Sequence, residues 1–88
     1  MNADEIMAEI PEAIGQVQDE LERALKLHGE FRSLHEGYAV LLEEVDELWD
    51  EIKKKRSIRD NQKMNQEALQ VAAMAVKLMM LVHRNTSP

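Results

Sequence analysis

The 88-residue chain has no cysteine, three glycines, two prolines and three aromatics, Phe31, Tyr38 and Trp49. Without cysteine there are no disulfide staples and no thiolate metal sites. So few turn formers and strand-favouring aromatics exclude a sandwich or a barrel. Basic residues are the minority, 11 against 17 acidic, giving a formal charge of −6. That balance argues against binding a nucleic-acid polymer, which needs a basic footprint. The main apolar stretch, Val71 to Val82, is interrupted by Lys77 and falls far short of the roughly 20 residues that span a bilayer. The start, Met1-Asn2-Ala3-Asp4-Glu5, is acidic, unlike a secretory leader. A cytoplasmic protein without membrane contact is the expectation.

What is present, 44% hydrophobic and 32% charged residues, is too apolar for a disordered chain and fits one small all-α domain over residues 1–88. Pro11 belongs in the first turn of a helix, where its missing N–H costs nothing. From Ile10 the residues Ile14, Val17, Leu21, Ala24 and Leu25 keep to one helical face, and Gly29 ends the helix. Residues 1–10 form an extra turn or a frayed arm. Ser33 with Glu36 three residues later predicts a cap and a second helix from about Leu34. Its apolar face is Leu34, Tyr38, Leu41, Leu42, Val45, Leu48, Trp49 and Ile52, and Lys53 to Arg56 suit the negative end of the helix dipole. Asp60 or Asn61 is placed to cap a third helix, from about Gln62 to His83.

That third helix is apolar on too many sides. Met64, Ala68, Val71, Ala72, Ala75, Leu78, Met79 and Val82 form one regular face, while Leu69, Ala73, Val76, Met80 and Leu81 cover the opposite one. Two partner helices do not bury a helix all round. The simplest cover is another chain. The expected architecture is therefore an antiparallel helical bundle completed by oligomerisation, a homodimer or homotetramer with this helix central.

The second helix carries seven carboxylates, and helical geometry separates them. With Val45 as zero, Glu44, Glu47 and Glu51 share one flank at about −100°, −160° and −120°, whereas Glu36, Glu43 and Asp50 lie far round the back. On the third helix Glu67, Gln70 and Lys77 form a second polar stripe beside the apolar face. Antiparallel packing brings the two stripes to one cleft. Carboxylates three residues apart on the edge of a core repel one another. A divalent cation such as Mg²⁺ resolves this, and a plain edge of ion pairs is the alternative.

The block Glu43-Glu44-Val45-Asp46-Glu47, followed by Glu67 twenty residues after Glu47, resembles the EExxE…ExxD signature of the all-α, MazG-like nucleotide pyrophosphohydrolases. The stretches His35 to Trp49 and Glu67 to Met74 add to the likeness, which covers roughly residues 28–82. The resemblance implies an enzyme that hydrolyses a nucleoside triphosphate, NTP or dNTP, to the monophosphate and pyrophosphate with Mg²⁺ (or Mn²⁺), assembled as a helical dimer or tetramer. It implies Glu44, Glu47 and Glu67 as metal ligands and Glu43 as a further ligand or water-positioning base. Gln70 stands where the motif has its final Asp. An amide oxygen still ligates a hard cation but brings no charge and is a poor base. The second expectation is accordingly a weak or inactive MazG-like module that binds nucleotide or a protein partner.

Lys77, a lone cation in an apolar helix, is a candidate to hold the outgoing pyrophosphate. His35, with Phe31 and Tyr38, is placed to receive a nucleobase by stacking, although closing a loop over the core is the commoner use of such residues. A simple oligomerisation module whose acidic face serves solubility is a third reading.

Overall fold

A computed structural model describes residues 1–86. It is all-α: α1 (Ala3–Met7), α2 (Ile10–His28), α3 (Leu34–Ile52) and α4 (Asn61–Thr86), with a 3₁₀ turn at Arg56–Ile58 between α3 and α4. Among the described residues, no helix is long and apolar enough to cross a membrane.

The helix limits follow from local chemistry. Asn2 accepts the Glu5 N–H and starts α1, a short helix within residues 1–10 with no buried residue. Gly29, at φ 67°, closes α2 by donating its N–H to Leu25 O at 2.9 Å, in a backbone conformation that disfavours a Cβ. The Ser33 hydroxyl accepts the Glu36 N–H at 3.0 Å, and the Glu36 carboxylate accepts the Arg32 N–H at 3.2 Å, so the reciprocal bond lands one residue before the cap. At the far end of α3, Arg59 Nε donates to the carbonyls of Ile52 and Lys54. Asp60 Oδ1 then accepts the N–H groups of Gln62 and Lys63 and opens α4.

The tertiary arrangement is built around α4. It packs lengthwise on α3 and also packs on α2, while α2 and α3 scarcely touch. Helices α3 and α4 run antiparallel: Gly37 lies against Leu78 near one end and Glu47 near Glu67 towards the other. The centre holds Ala24, Phe31, Ala73, Met74 and Leu81, with Val40, Leu41 and Leu78 packed around them.

This centre corrects the pattern-based assignment of faces. Leu34, Tyr38, Leu42, Val45, Trp49 and Ile52 on α3 are exposed in the chain, as are Met79 and Val82 on α4. Ala73 and Leu81, expected on the opposite side of α4, are buried. The physical reason is close approach. Gly37 has no Cβ where α3 meets Leu78 of α4 and Phe31, while Ala24 and Ala73 are the small residues buried with Phe31, Met74 and Leu81. A Cβ on Gly37 would come within 2.7 Å of Leu78 Cδ1 and 2.9 Å of Phe31 Cδ2. Glu36 follows the turned face and is half-buried rather than round the back.

Candidate metal centre

Turning α3 inwards along Gly37, Val40, Glu44 and Leu48 carries its acidic flank towards α4. Glu44 and Glu47, one turn apart on α3, meet Glu67 from α4, and one ligand atom from each lies within 4.8 Å of the others. Glu44 and Glu67 are half-buried and Glu47 is exposed. Among the described residues, none of the three makes an ion pair.

The repulsion is visible in the acidities. Burial, together with the neighbouring Glu47 charge and a hydrogen bond to Glu47, pushes Glu44 up to about 7, and the Glu67 and Glu43 charges add to it. Burial also raises Glu67, again with help from Glu47, while Lys63 opposes. Three hard oxygen donors from two helices, short of a cation, match what Mg²⁺ or Mn²⁺ takes from a protein. Glu43 is exposed, beside Glu44 in sequence and one turn before Glu47, and its charge adds to the rise of Glu44. Glu51, on the same flank as Glu44 and Glu47, is not among the three that converge: it is buried and held by Lys54 Nζ at 2.9 and 3.0 Å, while its charge still adds to the rise of Glu67.

Beside Glu44 a cavity of about 380 Å³ opens between α2, α3 and α4. Glu36, Glu44, Gln70 and Lys77 line it together with Arg23 and Phe31. Lys77 is only 4% exposed, yet among the described residues it has no ion-pair partner. Its Nζ lies 4.1 Å from the centre of the Phe31 ring, a cation–π contact in a desolvated setting. Burial lowers its pKa, against the pull of the Glu36 and Glu30 charges. Glu30 is anchored at the cavity wall by Arg84 from the end of α4.

Gln70 reaches the same cavity, but its amide Nε2 donates to Glu20 on α2 at 2.7 Å. Arg23 also binds Glu20, and this bond, more than Gln70, holds the Glu20 carboxyl below its usual range despite burial. The structure therefore brings Glu44, Glu47, Glu67, Gln70 and Lys77 to one region. His35 and Tyr38 line a separate shallow depression with Leu34, Ala39 and Leu42, and of the aromatic trio with Phe31 only Phe31 faces the cavity.

Sequence reasoning missed Glu20, Arg23 and Glu30. The available signal was faint: Glu20 and Arg23 flank Leu21 and Ala24, the two positions at which α2 is buried.

Fold and site together define an all-helical protein with a carboxylate cluster beside a cavity that holds a buried lysine. Compared with protein-family profiles, curated proteins and solved structures, the chain gives no match.

Proposed function

We propose that the chain is a MazG-like, Mg²⁺-dependent nucleoside triphosphate pyrophosphohydrolase of the cytoplasm, converting an NTP or dNTP to the monophosphate and pyrophosphate. The observation that carries this reading is the convergence of Glu44, Glu47 and Glu67 from two helices beside the cavity of Lys77. Glu44, Glu47 and Glu67 would hold Mg²⁺, with Mn²⁺ a substitute and the Gln70 amide oxygen a neutral fourth donor. The ion, when bound, supplies charge neutralisation of the triphosphate and acidifies a water.

The chain's residues account for the rest. Glu43 orients a water and accepts its proton as the water oxygen attacks the α-phosphorus. The bond from that phosphorus to the α–β bridging oxygen breaks, and pyrophosphate leaves with the electron pair. Lys77, beside Phe31, receives the leaving anion, and the attraction between ammonium and anion is stronger in this desolvated setting than in water. His35 and Tyr38 stand outside this site in the single chain.

The second reading, a nucleotide- or partner-binding module without catalysis, is favoured by Gln70. Where the motif has an acid, this chain has an amide engaged with Glu20. Pyrophosphate release from a panel of (deoxy)nucleoside triphosphates, in Mg²⁺, Mn²⁺ or EDTA, separates the two. The enzyme releases pyrophosphate only with metal, and Glu44→Gln or Glu67→Gln lowers the rate by at least about 100-fold. Absence of release from folded protein across the whole panel rejects the enzyme and leaves the binding module.

A further inference from the structure

Gln70 follows Glu67 by three residues on α4, so the two side chains leave the helix on one face. Glu67 belongs to the carboxylate cluster, and Gln70 borders the cavity that Glu44 also lines. The amide therefore stands beside the cation site with two unlike ends. Its oxygen ligates a hard cation, whereas its NH₂ repels one. A half-turn about the last side-chain bond exchanges the two, and that torsion is broad and roughly two-fold. For a half-buried glutamine in this place, a neighbour has to choose the end that faces the cation.

Glu20 makes that choice. Its side chain, on the half of α2 that packs against α4, is only 12% exposed. Arg23 grips it twice, with Nε donating to Oε2 at 3.0 Å and Nη2 donating to Oε1. A carboxylate in such a two-pronged ion pair only accepts hydrogen bonds. The end of Gln70 that meets it must be the NH₂, and Nε2 donates to Oε1 at 2.7 Å. The amide oxygen is left on the other arm, turned from Glu20, and among the described residues no group donates to it. Arg23 has a second effect. By compensating the Glu20 charge it lets this carboxylate orient the amide without drawing the cation to itself.

We propose that Glu20 is a positioning residue of the metal centre: gripped by Arg23, it fixes the Gln70 amide so that the oxygen is presented to the cation held by Glu44, Glu47 and Glu67. The inference rests on the metal centre proposed above and adds α2 to a site whose ligands come from α3 and α4. It explains how an amide serves where the resemblance calls for an acid. The fourth oxygen is retained at the cost of one negative charge, and its direction is set by a partner outside the ligand shell, as carboxylates orient metal-binding side chains elsewhere.

Calorimetric titration of the full chain with Mg²⁺, in the absence of nucleotide, tests it. Glu20→Met keeps the length of the side chain and removes the acceptor, so the amide is free to turn its NH₂ towards the cation. The Mg²⁺ Kd is expected to rise about tenfold or more. In a Gln70→Asp background residue 70 has no wrong end to present, and the same Glu20→Met change is expected to move Kd by less than about threefold. An equal loss in both backgrounds shows that Glu20 acts through its charge or through the fold, and an unchanged Kd in Glu20→Met shows that the amide needs no guide. Either result overturns the role of Glu20 and leaves the metal centre standing. A folded wild type that binds no Mg²⁺ overturns both.

Should Glu20→Met not fold, isotope-labelled wild type gives the answer by NMR. Saturation with Mg²⁺ is expected to shift the Gln70 side-chain carbonyl carbon while its NH₂ protons keep the downfield position of a bond to a carboxylate. Loss of that bond on adding Mg²⁺, or a carbonyl carbon that does not move, overturns the proposal.

Discussion

The Gln70 side chain donates to Glu20 across 2.7 Å, tying α4 to α2 one helical turn beyond Glu67. Glu20 stays ionised because Arg23 holds it too. The position at which the resemblance calls for an acid is thus part of a bridge between helices. Gln70→Asp sets two carboxylates against each other and is expected to cost about 1–3 kcal/mol in EDTA, measured by urea unfolding. Adding Glu20→Gln to that variant reverses donor and acceptor and should recover most of the loss. A double variant as unstable as Gln70→Asp alone would show that the bridge does not carry the effect.

The acidity of Glu44 sets a pH dependence with a definite sign. The folded chain keeps this proton up to about 7, whereas the unfolded chain releases it in the ordinary carboxyl range. Between those values the folded state binds more protons, so metal-free stability is greatest in acid and declines as pH rises through about 7. Glu67 acts in the same direction. The expected decline between about pH 5 and 8 is of order 1 kcal/mol once solvent screening is allowed for. Glu44→Gln should flatten it. Saturating Mg²⁺ should reverse it, since the cation binds the deprotonated cluster, and about 100-fold excess over Kd would add ~2.7 kcal/mol. Thermal unfolding across pH, with and without Mg²⁺, measures all three.

Lys77 is buried at a cavity wall, and its ammonium is satisfied by the Phe31 ring rather than by a carboxylate. Lys77→Met keeps the length and apolar body of the side chain while removing a desolvated charge. Stability should change by less than about 1 kcal/mol, in either direction. Pyrophosphate release should fall at least tenfold, about 1.4 kcal/mol in the barrier. A variant that turns over normally removes Lys77 from the leaving-group site.

Gly37 is the contact that lets α3 lie on α4. Gly37→Ala brings a Cβ to 2.7 Å from Leu78 and 2.9 Å from Phe31. The helix-propensity gain of about 1 kcal/mol is outweighed by overpacking of roughly 1–3 kcal/mol. Net destabilisation of about 1–2 kcal/mol is expected, accompanied by a weaker Lys77–Phe31 contact. Pairing the variant with Leu78→Val should restore part of it, as a chemical-denaturation cycle would show.

The sequence by itself determined the all-α class, the limits of α2, α3 and α4 within a few residues, the cap at Ser33, and the shared flank of Glu44 and Glu47. These depend on hydrogen bonds and periodicities spanning about one helical turn, so neighbouring residues suffice to specify them. Only the tertiary structure decided which apolar face of α4 turns inwards, that Glu51 is held by Lys54 beside the cluster in which Glu67 meets Glu44 and Glu47, that Gln70 binds Glu20, and that Lys77 rests on Phe31. Hydrophobic pattern marks a face as needing cover without saying what covers it. The choice rested on contacts between residues far apart in the chain, such as Gly37 against Leu78 and Ala24 buried in one cluster with Ala73, and it left the larger Val45 and Trp49 row facing outwards.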